Sequence, residues 1–111
     1  MLSDEQNYQL LKALEDNPNT SQRELAREVG YSLGKINYCL QALKGKGLVK
    51  AENFRNSTNK TAYLYKLTPA GISEKATITR RFLSQKLEEH EQLQREIETL
   101  KQEVAEQASS T

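Results

Sequence analysis

Residues 20–67, TSQRELAREVGYSLGKINYCLQALKGKGLVKAENFRNSTNKTAYLYKL, decide the fold. Ser21-Gln22-Arg23-Glu24 has the form of a capping box: the Ser21 hydroxyl can accept from the Glu24 amide while the Glu24 carboxylate reaches back. Leu25, Ala26 and Val29 give the helix that follows its buried side. Gly30 ends it, because a left-handed cap carries little strain only for glycine. At barely more than two turns, this helix must be packed to be stable. A second helix runs from Ser32 to about Lys44. On a helical wheel Leu33, Ile36, Leu40 and Leu43 make the buried stripe. Gly34, Lys35, Tyr38, Gln41 and Ala42 make the opposite face, with Asn37 and Cys39 on the flanks. Gly45 and Gly47 stop the helix. Leu48-Val49-Lys50 reads as a strand and Phe54 to Lys60 as a turn region. Thr61 to Leu67 reads as a second strand with Tyr63, Tyr65 and Leu67 on one side.

The spacing has a steric logic. Two helices cross closely where the first offers a small residue, here Ala26. The turn four residues later needs a positive φ, here Gly30. The second helix then buries an apolar residue six positions on, here Ile36. Followed by a basic hairpin, this is the plan of a winged helix-turn-helix, whose second helix lies in the major groove of DNA. Charge agrees. Net charge is +1, yet residues 20–66 hold nine Lys/Arg against three acids, and residues 71–111 hold six against eight. A basic module precedes an acidic one.

Outward from that segment, a first helix starts at Ser3, capped with Gln6, shows Tyr8, Leu11 and Leu14 as its stripe, and stops at Asn17-Pro18-Asn19. Thr68-Pro69 opens a last helix, with threonine as N-cap and proline at the first position. It runs to about Ala105, a rod of roughly 55 Å. Ile72, Ala76, Thr79, Phe82 and Leu83 can pack on the module or on a partner. Leu93, Ile97, Leu100 and Val104 follow at heptad spacing, with His90 at the preceding a-type place. Glu96 and Lys101 fall at g and e. This spacing leans towards parallel pairing on one ion pair, and the direction stays open. Phe82, Leu83, Leu87, Leu93, Ile97, Leu100 and Val104 are the expected dimerisation residues. The expected class is mainly α with a small β-hairpin: a winged helix-turn-helix domain over 1–70, a long C-terminal dimerisation helix over 71–106 and a frayed tail over 107–111.

The candidate DNA contacts sit on three elements. Lys35 can donate to guanine O6 and N7, and Gln41 can bond adenine N6 and N7. Tyr38 can reach a phosphate or a thymine methyl, and Ser32 can hold a phosphate at the helix N-terminus. Gly34 and Asn37 lie on or beside the same outer face. Gln22 and Arg23 are placed to meet phosphate; Lys44 and Lys46 can touch phosphate or simply assist the helix end. On the hairpin, Arg55 and Lys60 read as wing residues, with Asn56, Ser57 and Asn59 as short donors beside them. The bland reading of each is a solvated polar face; the spacing and the local charge excess favour double-stranded DNA.

Other chemistries find little support. The single cysteine, Cys39, allows no intrachain disulfide and reads as a small buried hydrophobe rather than a redox sensor. His90 reads as a register-setting polar residue. One His and one Cys far apart give no zinc spacing. No phosphate-cradling loop or nucleophile–base pair is present, so neither a metal, a cofactor nor an enzyme activity is expected. MLSDEQNYQL lacks the basic and apolar regions of a signal peptide, and no apolar run approaches a membrane span of about 20 residues. The expectation is a soluble cytoplasmic protein.

SQRELAREVGYSLGKINYCLQALKGKGLVKAENF, with Tyr-Leu-Tyr-Lys-Leu-Thr-Pro-Ala-Gly at 63–71, resembles the MarR-type winged-helix regulators. More narrowly it resembles their compact subgroup associated with exopolysaccharide gene clusters in bacteria. The resemblance implies a bacterial regulator binding a palindromic site as a homodimer, with Ser32 to Lys44 as recognition helix and 53–61 as wing. It departs from the family in having only Met1 and Leu2 before the first helix and a single long helix after the wing. The usual ligand pocket is therefore not expected, and no effector is implied. The rival class is a protein-interaction adaptor, using the winged domain and the heptad helix without DNA.

Overall fold

The structure, a computed structural model, describes residues 2–55 and 61–110, with residues 54, 55, 61 and 62 described through their backbone. The elements run α1 (Asp4–Asp16), β1 (Thr20–Ser21), α2 (Gln22–Val29), α3 (Leu33–Gly45), β2 (Val49–Arg55), β3 (Thr61–Leu67) and α4 (Pro69–Ser109). They make two compact units, Met1–Thr79 and Arg80–Thr111. The fold is mainly α: a winged helix followed by a long helix. No helix among the described residues is long and apolar enough to cross a membrane.

Local chemistry sets each helix start. At α1 the Ser3 hydroxyl accepts from the Gln6 amide and the Gln6 side chain accepts from the Ser3 amide, both at 3.1 Å. At α2 half of the expected box forms. Ser21 Oγ accepts from the Glu24 amide at 3.1 Å. The Glu24 carboxylate instead lies 3.4 Å from the Thr20 hydroxyl. The reason is tertiary: Thr20 and Ser21 form a strand against Tyr65 and Leu64. Gly30 then caps α2 at φ 78°, its amide donating to the Ala26 carbonyl. Asn17 fastens the α1 end to α2, with its side-chain nitrogen 2.8 Å from the Glu28 carboxylate.

The sheet is antiparallel in the order β1-β3-β2, so it has three strands where a hairpin is expected. β2 also runs further than Lys50. Phe54 and Arg55, expected in the turn, pair with Ala62 and Thr61. Residues 56–60, the rest of the expected turn region, lie outside the described residues.

Leu10, Leu11, Leu14, Leu25, Ile36, Leu40 and Val49 are fully buried at the centre of the first unit, together with Cys39. Each such aliphatic side chain contributes about 1.5–3 kcal/mol of transfer free energy. Ala26 and Ile36 are both buried, as the crossing requires. One expectation for α3 is corrected: Leu33 is 43% exposed. Cys39, expected on the flank of the stripe as a small buried hydrophobe, is 0% exposed. The two lie about equally far from the stripe axis on a wheel, roughly 60° to either side. The positions of the neighbouring elements, not α3 itself, choose between them.

Of the two alternatives for the start of α4, packing of Ile72 and Ala76 on the module is not what forms. The inward residues of α4 are Gly71 and Ile78, whereas Ile72 is 54% exposed and Ala76 is exposed. Backbone packs on backbone here. Thr68 Oγ1 donates to the Gly47 carbonyl at 2.6 Å and accepts from the Gly71 amide at 3.0 Å. The Thr68 amide donates to the Leu48 carbonyl at 3.0 Å. Gly71 rests on that same carbonyl so closely that a Cβ there would overlap it. Lys75 adds an ion pair to Glu15 of α1 at 2.9 Å. The helix ends at Ser109, four residues beyond the expected end, so 107–109 are helical rather than frayed.

Candidate nucleic-acid interface

α3 presents its polar side as a ridge with two slopes. Gly34 and Tyr38 are near the crest, and Tyr38 is 64% exposed. On one slope Asn37, Gln41 and Lys44 face the sheet across an open groove of about 330 Å³. Gln22, Ala51, Tyr63 and Tyr65 line the rest of it. The groove exists because odd-numbered strand residues share one face: Ala51 pairs with Tyr65, and Asn53 with Tyr63. Tyr65 is buried against the core, while Tyr63, one step towards the wing tip, is 55% exposed. Amide, ammonium and phenol groups thus converge on a concave strip beside an exposed helix.

Lys35 lies on the other slope. Its ammonium sits 4.0 Å from the centre of the Tyr31 ring. The Tyr31 hydroxyl donates to Gln9 of α1 at 3.1 Å. To reach a base edge Lys35 must leave that ring, a contact worth about 0.5–1 kcal/mol at an exposed site. Ser32 serves α3 itself, its hydroxyl oxygen accepting from the Lys35 amide at 3.1 Å. Gln22 bridges the two helix starts, donating to the Leu33 carbonyl at 3.2 Å. Arg23 is exposed. Leu33 is a surface residue at the start of α3, not a core one.

The basic segment is not uniformly directed at the groove. Lys50 and Lys66 lie directly opposite each other on the strands. Like charges in that position repel. Glu52 relieves them, at 3.2 Å from Lys50 and 3.1 Å from Lys66. These three occupy the sheet face opposite the one carrying Ala51, Tyr63 and Tyr65. The Lys66 hydrogen bond, with Lys50 second, lowers the Glu52 pKa below its ordinary value. Lys46 also points elsewhere, lining a hollow with Asn7, Leu48 and Glu74. Arg55 closes β2, and its side chain is not described. Asn56, Asn59 and Lys60, with Ser57, lie outside the described residues.

The sequence reading missed two features. Tyr63 read as part of an apolar stripe, although it stands a full strand step beyond the core. Leu33 read as core, although a first-turn residue has helix on one side only. Among the described residues no group of His, Cys, Asp and Glu could hold a metal ion.

Residues 3–50 match the winged helix-turn-helix DNA-binding family. No curated protein matches the chain in sequence. Solved structures match its fold. The transcriptional repressor CouR bound to a 23-mer DNA duplex is 26% identical over 72% of this chain and 54% of its own, with a TM-score of 0.59. The PcaV regulator from Streptomyces coelicolor, in complex with its natural ligand, is 25% identical over 70% of this chain and 59% of its own, at 0.54. MarR from E. coli is 24% identical over 67% of this chain and 53% of its own, at 0.57. The chain thus spans little more than half the length of these proteins. Residues 3–50 are a winged helix-turn-helix DNA-binding domain, and the known structures that share the fold of this chain include MarR-family regulators.

Proposed function

We propose that the chain is a sequence-specific transcriptional regulator that binds double-stranded DNA as a homodimer. The observation that carries this reading is the α3 ridge with its groove: Asn37, Gln41 and Lys44 beside exposed Tyr63, on a domain of DNA-binding type. α3 enters the major groove. Gln41 and Asn37 present amides suited to adenine, and Lys35 swings from Tyr31 towards guanine. Tyr38 at the crest meets phosphate or a thymine methyl. Gln22, Arg23, Ser32 and Lys44 hold the flanking phosphates, with the Gly34 backbone close by. Arg55, Asn56, Asn59 and Lys60 of the wing reach towards the adjacent minor groove.

The C-terminal helix joins two chains, so two half-sites lie about 34–36 Å apart or a multiple of that. The resemblance to the exopolysaccharide-associated subgroup suggests exopolysaccharide genes as targets.

Fluorescence anisotropy on a duplex library across a salt titration tests the reading. Affinity should fall steeply with salt as phosphate contacts release counterions. Gln41→Ala or Lys35→Ala should change sequence preference by about 1–3 kcal/mol at one base pair. Lys60→Ala should weaken all sequences alike and lower the salt slope by about one. Salt-insensitive binding would sink the reading and favour a protein-binding adaptor.

A further inference from the structure

We propose that residues 83–107 pair with a second copy of this chain in parallel and in register. This rests on the homodimer put forward above and adds its direction and alignment. Every residue from Leu83 to Ser110 is exposed, including Leu83, Leu87, Leu93, Ile97, Leu100 and Val104. An amphipathic helix solvated on all sides leaves its apolar stripe without cover. Within the helix Leu83, His90, Ile97 and Val104 repeat every seven residues as a, and Lys86, Leu93, Leu100 and Gln107 as d.

The order of polar and apolar layers separates this arrangement from antiparallel pairing centred on Leu93 and Ile97 and from a parallel pair shifted by one heptad. In a parallel in-register pair each layer meets its own copy. Leu83, Leu93, Ile97, Leu100 and Val104 then face themselves, and Lys86 and His90 form adjacent polar layers. Lys86 has somewhere to go, since its ammonium lies 3.1 Å from Glu89 on its own helix and can stay at the rim. Antiparallel pairing instead sets a layers against d layers. Aligned on Leu93 and Ile97, it puts Lys86 against Val104 and His90 against Leu100. Polar groups would then lie against hydrocarbon without partners. A parallel pair shifted by one heptad sets His90 against Ile97, with the same fault.

Charge at the edges selects the direction: antiparallel pairing aligned on Ile97 and Leu100 matches Leu93 with Val104 and His90 with Gln107, but sets Glu96 beside Glu103. The g positions Glu89, Glu96 and Glu103 are all acidic. Antiparallel helices bring g beside g, so in the alignment on Leu93 and Ile97 Glu89 meets Glu103 and Glu96 meets its own copy. Parallel helices bring g beside the next e, so Glu96 meets Lys101 and Glu89 meets neutral Gln94. Lys101 is 3.6 Å from Glu98 of its own helix, with both side chains 69% exposed, so it is free to turn to the partner.

Disulfide trapping tests this. Gln107→Cys, in the full-length chain under a mild thiol–disulfide buffer, should give a covalent dimer. The unsubstituted chain, whose one cysteine is buried, should give none. Mixed Gln107→Cys and Leu83→Cys chains should form like-with-like dimers. A disulfide between the two different variants, or no covalent dimer from Gln107→Cys in a chain that sediments as a dimer, would overturn the direction while leaving the homodimer standing. A chain that sediments as a monomer would overturn both. Loss of DNA binding in a Gln107-linked dimer would sink the regulator reading and leave the parallel pair intact.

Discussion

At Gly71 one missing side chain lets α4 seat on the turn after α3. The atom it abuts is the Leu48 carbonyl oxygen, which is main chain and cannot rotate aside. Gly71→Ala should therefore cost roughly 3 kcal/mol, the upper part of the usual range for overpacking. Urea unfolding followed by circular dichroism should show a lower midpoint at unchanged slope. Cys39 supplies a second test. Burial pushes its thiol above the ordinary value, against a smaller opposing effect of the Lys35 charge. A thiol whose pKa is higher folded than unfolded contributes stability that is present below the unfolded value, about 8.5, and lost as pH rises towards the folded one. Stability should thus decline in alkali, and Cys39→Ala should flatten that decline. Ellman's reagent should label Cys39 at the rate of unfolding. The sequence marked both residues, yet neither role was fully legible. Glycine at 71 read as part of a common junction, and what it abuts lies on another element. Cys39 and Leu33 are alike on a wheel, and only the packed neighbours tell them apart.

At the scale of elements, helix starts were legible and strand extents were not. Caps act over three or four residues, so Ser3, Ser21, Ser32 and Thr68 announce their helices locally. β1 has two residues, Thr20 and Ser21, and no periodicity to detect; it exists because β3 lies alongside. α3 itself was likewise visible, whereas the groove beside it depends on which strand face carries Tyr63. Tyr63→Ala should weaken DNA binding several-fold by anisotropy while leaving the melting temperature nearly unchanged, since that ring is largely outside the core. On the other sheet face the Lys50–Glu52–Lys66 cluster gives a pH test. The Glu52 pKa is lowered, so its contribution to the hairpin is present above the ordinary carboxylate range and lost as pH falls through the folded value. NMR titration should find the Glu52 midpoint below the ordinary glutamate value, moving back up in 1 M salt as the pairs are screened.

For the whole molecule, the first unit, Met1–Thr79, holds the buried core, so a chain cut after Phe82 should stay folded. It should be monomeric by light scattering and should bind a palindromic duplex tens- to thousands-fold more weakly, because joint engagement of two half-sites is lost. A dimer surviving that cut would place the interface elsewhere. The root of α4 has one further consequence. The Leu48 amide is bonded to Leu43, the Leu48 carbonyl to Thr68, and the Thr68 hydroxyl to both Gly47 and Gly71. The end of α3 and the start of α4 are thus one cooperative unit rather than two neighbours. In native-state hydrogen exchange the amides of Leu48, Thr68 and Gly71 should share a single opening free energy. A pull on the start of α4 would reach the end of α3 before any of these amides opens alone.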